Sequence, residues 1–441
     1  MDKKMISAVA VVAILVVAAV AVFVTNNNDE SNEPSTFENA ELKVLGNING
    51  DRYINQADVD LIQKLVDQRA TVEEYPLADA DHNGVIDAAD VQVVKDITLG
   101  KSTTIWHVSY HDTNKDGTMD EELVSTQFPI KSAIMTASSN TAMLMFTLGI
   151  VNEIKGASYS SLDKALFGNS YLNTDKVVKL GKSSTTITFE DGKAGSSDVI
   201  AKEGVTAVIS DWNRSYLTNE SAFESANIDV VRVAAASLDK DVMTHSALLI
   251  GLLFQKMSRA IQYLDTSFEL MDYVEGAVKN VEPVSAVASS TNGSISSLGS
   301  DYTQLLLRAG ASFGAEGIEY GGTASIKIKD HPEFNTVGCE RVIHIRTALN
   351  YDQTPESVKK AYDDYTAEFS TWQHADDGQF MISGSIPVAL RLAYAAAALH
   401  PDVVDINKVD RYHQVIVNKL YDGVDFNISS MSFLVEPDVY A

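Results

Sequence analysis

Between Met257 and Asn280 the apolar residues Met257, Ala260, Ile261, Leu264, Phe268, Met271, Val274 and Val278 recur mostly at gaps of three and four. That spacing lays one stripe along a helix. No proline interrupts the run until Pro283, which cannot continue a helix. At 1.5 Å per residue the segment spans roughly 35 Å, about the width of a small domain. Strand-and-helix alternations of similar size lie on both sides. A rod between two such halves predicts a spine joining two lobes; the alternative is a long helix inside one large domain.

The flanks favour two lobes. From Phe128 to Ser158 the chain reads as strand, loop, helix and strand, and VTAVISDW (Val205–Trp212) and IDVVRVAAA (Ile228–Ala236) read as buried strands. After the spine, VSAVASS (Val284–Ser290) and ERVIHIRTA (Glu340–Ala348) read as strands, with a helix from Tyr302 closed by Gly310 between them. The predicted class is α/β, with mainly parallel sheets in both lobes. The expected divisions are a first lobe over 131–256, a linking helix over 257–281 and a second lobe over 282–441.

With 441 residues the chain exceeds one ordinary core. Its 60 acidic against 34 basic residues give a net charge of −26, which repels phosphate backbones and argues against a nucleic-acid partner. The one cysteine, Cys339, can form no internal disulfide and no thiolate metal cluster.

Residues 1–24 predict a membrane anchor. Met5 to Val24 is an unbroken apolar run behind Lys3 and Lys4, long enough to span a bilayer with the N-terminus cytoplasmic. The alternative is a cleaved signal peptide; the length of the run and the lack of a small-x-small site favour an uncleaved anchor. Either way the rest of the chain is expected outside the cytoplasm. Residues 25–41 are polar and acidic and read as a tether.

Residues 42–101 hold an internal repeat. NINGDRYINQADVDLIQKLV from Asn47 recurs as DADHNGVIDAADVQVVKDIT from Asp79. Each copy puts oxygen side chains at loop positions 1, 3, 5, 9 and 12, followed by an apolar helix. In the first loop these are Asn47, Asn49, Asp51, Asn55 and Asp58; in the second, Asp79, Asp81, Asn83, Asp87 and Asp90. Position 7 offers the carbonyls of Tyr53 and Val85, and Gly84 provides the sharp turn of the second loop. Calcium takes six to eight hard oxygens at this spacing, so two calcium sites are expected. The pattern resembles a type I dockerin, a small all-α module of two calcium loop–helix units. Two departures, Asn47 for the usual first Asp and Arg52 for the turn glycine, predict weaker binding in the first loop. The resemblance also implies a cohesin-bearing partner met through loop positions 10 and 11, which are Gln56, Ala57, Ala88 and Ala89.

A third acidic run from Asp112 fails as a calcium loop because its twelfth position is Leu123. With strand-like flanks and the turn pair Asp116–Gly117 it predicts a β-hairpin within 102–130.

The C-terminal stretch from Ser383 to Tyr421 carries Pro387, Tyr394, Ala395, Leu399, His400, Pro401 and His413 in a pattern similar to the substrate-binding proteins of iron-siderophore and cobalamin ABC importers. The opening FPIKSAIMT…TLGIVNEIKG resembles the same family, and with the spine the likeness covers about 310 residues. It implies two lobes joined by one rigid helix, with a ferric siderophore, haem or corrinoid in the cleft and an ABC permease with its ATPase as partner. Parallel sheets place ligands beyond the C-terminal ends of their strands. That rule nominates Ser138, Ser139 and Asn140 after the opening strand, and Asp211, Trp212, Asn213, Arg214 and Tyr216 after another. In the second lobe it nominates Arg346 and Tyr351. Tryptophan and tyrosine could stack on a flat chelate, and arginine could pair its carboxylates.

No enzyme is expected. Gly310-Ala311-Ser312-Phe313-Gly314 spells a nucleophile-elbow pattern, but such an elbow needs a strand before it and a helix after it. Here a helix precedes and a loop is expected to follow. The histidines show no metal spacing, and His400 is expected to pack rather than ligate. The competing reading is a cell-surface scaffold in which the dockerin carries the function and the bilobed body has lost its ligand. A filled cleft would favour it.

Overall fold

A computed structural model describes residues 33–112, 118–136, 139–158, 177–180, 196–217, 220–335, 337–421 and 423–437. The apolar run Met5–Val24, Ser138 and the turn pair Asp116–Gly117 lie outside the described residues. Among the described residues no helix is long and apolar enough to cross a membrane. The chain divides into two compact units, with the break between Trp106 and His107.

The first unit is built from the repeat. Helix α1 (Gln56–Gln68) starts at Asn55 and helix α2 (Ala88–Thr98) at Asp87, each in a capping box. In both boxes the partner is the aspartate at loop position 12. Asp58 accepts from Asn55 N at 2.9 Å and from Ile48 N at 2.8 Å. Asp90 accepts from Asp87 N at 2.8 Å and from Asp81 N at 3.0 Å. Val59, Ile62 and Leu65 of α1 and Val91, Val94 and Ile97 of α2 are buried, with Leu42, Val44, Leu45 and Ile48. The same carboxylate closes the loop and starts the helix, so each repeat is one folding element.

The second unit opens with a two-stranded sheet of β1 (Thr103–His111, which begins before the break) and β2 (Asp120–Phe128). The first lobe then runs β3 (Ala133–Met135), α3 (Ser139–Thr147), β4 (Ile154–Ser158), β5 (Val178–Leu180), α4 (Ser196–Glu203), β6 (Ala207–Asp211), α5 (Glu220–Ser225) and β7 (Asp229–Val233). Its sheet has the order β5-β4-β3-β6-β7, and every pairing is parallel. Ala207, Val208 and Ile209 are fully buried, as a sheet covered on both faces requires.

Helix α6 (Lys240–Leu253) turns directly into the long helix α7 (Met257–Val278). The two lie close at Gly251, where a Cβ would stand 2.6 Å from that of Ala260. The buried face of α7 is turned from the apolar stripe expected of it. Ala260, Leu264, Met271 and Val274 are buried, but so are Tyr263, Thr266 and Ser267, whereas Phe268 and Ile261 are half-exposed. Helix contacts on more than one side of α7 explain the difference.

The second lobe comprises β8 (Val284–Ser289), β9 (Ser294–Ser296), α8 (Asp301–Arg308), β10 (Ala311–Phe313), β11 (Ser325–Lys327), β12 (Arg341–Arg346), α9 (Pro355–Thr366), β13 (Gln379–Ser383), α10 (Val388–Leu399), α11 (Ile406–Leu420) and β14 (Leu434–Val435). Its sheet has the order β10-β8-β12-β13-β14, parallel except for β14, while β9 and β11 form a separate antiparallel pair. At the glycine-serine pattern 310–314 a helix precedes and a turn follows, as expected, with the pattern's own middle residues forming β10. The order is still the reverse of a nucleophile elbow. His400 closes α10 and its Nε2 meets the Gly310 carbonyl at 2.9 Å, a packing role.

Four described histidines of this unit, His107, His245, His344 and His413, are fully enclosed, and three of them meet side-chain partners. His107 contacts the Thr126 hydroxyl at 2.8 Å, His344 the Gln379 side chain at 3.0 Å, and His413 the Tyr351 hydroxyl at 2.8 Å. Burial pushes His107 down to about 4, and His344 and His413 to about 3. A base whose folded pKa lies below its unfolded value folds neutral. Its stabilising contribution is therefore complete above pH ~6.5 and is lost as the pH falls toward the folded values, at about 1.4 kcal/mol per unit for each group. Urea denaturation of the second unit should show stability falling continuously from pH 6.5 to 4.5. His413→Gln should flatten that slope; an unchanged slope would show that His413 does not fold neutral.

Candidate functional site

Two regions carry site-like chemistry. One is the pair of loops in the first unit, and the other is the space between the lobes of the second.

In the second loop Asp79, Asp81 and Asp90 bring carboxylate oxygens within 4.8 Å of one another. Burial raises the Asp90 carboxyl, and the charges of Asp81 and Asp79 add to the rise. Gly84 sits at φ +88°, and a side chain there would meet no atom, so its glycine serves the left-handed turn alone. The Asn83 amide donates to Asp81 at 3.0 Å. Val85 is exposed at the turn.

The first loop has fewer charges. The Asn47 amide nitrogen donates to the Leu42 and Asp51 carbonyls at 2.7 and 2.8 Å, which leaves its Oδ1 buried without a partner. Asn49 donates to Asp51 at 2.7 Å, and the Tyr53 N–H donates to Asp51. Burial drives the Asp58 carboxyl up to about 7, with the Asp51 charge adding to it. Arg52, at the usual glycine position, pairs with Glu41. An orphaned amide oxygen beside two carboxylates fits a hard cation, and three convergent carboxylates fit one better. Gln56, Ala88 and Ala89 are exposed on the first turns of the helices and Ala57 is half-exposed.

Between the lobes, Asn140, just past β3, meets Arg391 of α10, and Tyr216, after β6, stands near Asp301 and Tyr302 of α8. The segment after β6 is held from behind by Arg232 of β7. This guanidinium is fully buried; it donates to the Asp211 carbonyl at 2.8 Å, the Leu217 carbonyl at 3.1 Å and Glu220 Oε2 at 2.7 Å. It ties both ends of the loop carrying Trp212, Arg214 and Tyr216. Trp212, Arg214 and Tyr216 are half-buried and Asn213 is exposed. Burial raises the Tyr216 hydroxyl, and the charges of Asp211, Tyr302 and Asp301 oppose its ionisation further. The start of α8 in the second lobe therefore stands beside this loop. Asp301 stays open to solvent, yet the surrounding protein raises its carboxyl while Arg391 pulls it down.

Arg346 ends β12 but folds back onto its own sheet. It donates to the Ser289 carbonyl and, at 3.0 Å, to the Ser289 hydroxyl, and lies 4.1 Å from the Tyr365 ring centroid. Burial pushes it down to about 10, so it remains a cation at neutral pH.

Tyr351, expected in the cleft, is corrected to the core. It stacks on Phe426 at 4.7 Å, and its hydroxyl meets His413 at 2.8 Å and Tyr421 at 3.3 Å. Tyr394 donates to Asp410 at 2.7 Å, so it must accept from His413 Nδ1 at 3.0 Å, which leaves Nε2 to accept from Tyr351. From this polar chain Tyr421 reaches Met143, whose sulfur lies 3.8 Å from its hydroxyl and which lines the cavity beside Asn140. Nothing in the local sequence distinguished Tyr351 from a loop tyrosine, because its burial is made by Phe426 and Phe433, some 75 residues further on.

Ser138 is outside the described residues, and of Ser139 only its place at the start of α3 is described. Asn140 is half-buried and crosses the cleft: its Oδ1 accepts from Arg391 of α10 at 2.9 Å. Beside this contact is a cavity of about 10 Å³ lined by Asn140, Met143, Thr147, Tyr263, Ile386 and Pro387. It has room for roughly one water. Arg391 and Arg232 were both missed from the sequence; each is a lone arginine inside an apolar run.

No protein-family model matches the chain, and no curated protein sequence matches it. Solved structures do. The TroA-like periplasmic binding protein FepB of Veillonella parvula is similar over 70% of this chain and 95% of its own, with a TM-score of 0.51 and 14% identity. The periplasmic molybdate-binding protein MolA of Haemophilus influenzae, solved with molybdate, is similar over 66% of this chain and 93% of its own, with a TM-score of 0.50 and 15% identity. Two parallel-sheet lobes joined by one helix are thus a bilobed periplasmic-binding-protein fold. At these identities the likeness concerns the fold.

Arg232→Met should cost about 3–5 kcal/mol in urea denaturation of the second unit, because it leaves Glu220 and two carbonyls without their donor. A loss below about 1 kcal/mol would show that the loop after β6 is held by other contacts.

Proposed function

We propose that this chain is an extracytoplasmic solute-binding protein that captures a metal chelate and passes it to an ABC permease and its ATPase. The observation that carries this reading is the spine helix α7 between two parallel-sheet lobes, with Asn140 of one lobe meeting Arg391 of the other. The fold of the similar periplasmic binding proteins supports it, and the ligand class proposed is a ferric siderophore, haem or corrinoid. No part of the mechanism is enzymatic: ligand is bound between the lobes and released by modest opening about α7. Residues 5–24 would hold the receptor at the membrane by a single pass.

The first unit is proposed to be a calcium-loaded dockerin. Asp79, Asp81, Asn83 and Asp90, with the Val85 carbonyl, would hold one ion; Asn47, Asn49, Asp51 and Asp58, with the Tyr53 carbonyl, would hold a second more weakly. Calcium would supply charge neutralisation to loops whose carboxylates repel one another. Gln56, Ala57, Ala88 and Ala89 would face a cohesin-bearing partner.

One observation favours the scaffold reading. The described cavity beside Asn140 holds about one water, and a filled space between the lobes is what that reading expects. The two readings separate in one experiment. The full-length chain, purified in detergent, is offered ferric catecholates, haem and corrinoids, and its visible absorbance and metal content are recorded. A stoichiometric coloured ligand supports the receptor; no uptake at micromolar levels across the panel supports the scaffold.

Calcium gives a separate expectation. At a free concentration a hundredfold above its dissociation constant, calcium should stabilise the first unit by about 2.7 kcal/mol per site. Asp81→Ala should remove the tighter of two calorimetric binding events and leave the weaker. Loss of both events, or of neither, would contradict independent loops.

A further inference from the structure

Arg391 is a cation with no counter-ion in contact. It is the fourth residue of α10, and helical side chains lean toward the N-terminus of their helix. That lean carries its guanidinium to the Gly384 carbonyl at 3.4 Å, the Ile386 carbonyl at 3.2 Å and Asn140 Oδ1 at 2.9 Å. All three acceptors are neutral. The side chain is 3% exposed, its Nε is buried without a partner, and no described carboxylate forms an ion pair with it. Buried charges are ordinarily paired, because an unpaired one forfeits its hydration for nothing.

Three further observations point to what is missing. Asn140 and Ile386, which Arg391 touches, also line the cavity between the lobes. Helix α10 begins at Pro387 with no side-chain cap, so the positive end of its dipole adds to the guanidinium. Asn140 stands just past the end of β3, where ligands of parallel sheets sit. Its amide oxygen is the neutral counterpart of a carboxylate oxygen.

We propose that Arg391 and the N-terminus of α10 anchor an anionic oxygen of the ligand, and that Asn140 fills this place when no ligand is bound. The proposal rests on the receptor reading and narrows it to ligands that present negatively charged oxygens. These could belong to the rim of a ferric catecholate or carboxylate chelate, or to a free tetrahedral oxyanion. Neutral ferric trihydroxamates, which present no anionic rim, are excluded from high affinity. Asn140 acts as a latch that the ligand displaces, so binding breaks the one hydrogen bond described here between α3 and α10.

Calorimetric titration of the full-length chain with a ferric tris-catecholate, sodium molybdate and a neutral ferric trihydroxamate tests this. At least one of the two anionic probes should bind, and which one does identifies the source of the oxygens. Arg391→Gln should weaken that probe roughly thirtyfold, and Arg391→Lys should recover part of the loss. Asn140→Ala should tighten it about fivefold by removing the competitor, and it decides the matter if Arg391→Gln fails to fold. Anionic binding unchanged in both Arg391→Gln and Asn140→Ala would overturn the proposal and leave the receptor standing. So would binding of the neutral trihydroxamate alone. If Arg391 serves only as a distant counter-charge to Asp301, Arg391→Gln and Asp301→Asn will lower the melting temperature alike and leave affinity unchanged, which also overturns it. Absence of binding by every probe overturns the receptor reading and this proposal together.

Discussion

The second unit depends on the contact of α7 with α10. Every residue of α10 is buried, and six of its twelve are alanine. A helix of small side chains lets a neighbour approach closely, so α10, α6 and α11 can all meet α7. The cost is that α10 has little side-chain volume with which to exclude water or fix a register. Its polar residues do that work. Tyr394 fixes α11 through Asp410 and His413, while Arg391 reaches across to α3. A flat apolar contact sets the distance, and two polar side chains set the position along it.

The charge distribution follows a similar division. The chain is strongly acidic, yet three arginines are almost completely buried: Arg232, Arg346 and Arg391. Each solves the burial differently. Arg232 has a carboxylate, Glu220, and so belongs to the structure of the first lobe. Arg346 has the face of Tyr365 and the oxygens of Ser289, a neutral arrangement that a guanidinium tolerates better than an ammonium does. Arg391, like Arg346, donates to three neutral oxygens, but it has no ring face beside it. Among the three arginines, the one with neither a carboxylate nor a ring in contact is the one that reaches across to α3.

Much of this architecture was legible in the sequence because it is written in local periodicities. The α7 stripe, the doubled loop and the strands Val205–Trp212 and Glu340–Ala348 each have a signal within twenty residues. The site was less legible. Rules about strand ends nominated the segments after β3 and β6, from which Asn140 meets Arg391 and Tyr216 stands near the start of α8. Arg391 was passed over and Tyr351 misplaced for a common reason. Whether a polar side chain lies in a core or a cleft is decided by partners far away: Phe426 and Phe433 for Tyr351, and Asn140, 251 residues distant, for Arg391. Sequence spacing does not encode such partners, so a lone arginine in an apolar helix gives no hint of which wall it faces.

The narrow cavity then takes on a specific meaning. A ligand can shift the lobes only by as much as it prefers the open arrangement. In the closed arrangement Arg391 is satisfied by neutral oxygens, each worth less than a charged one. An anion therefore gains the difference between a charge-assisted bond and the Asn140 contact, and a neutral ligand gains almost nothing from that exchange. Selectivity for charge does not require a large pocket lined with cations. On the proposal made above, it would follow from one guanidinium whose resting partner is the neutral amide oxygen of Asn140.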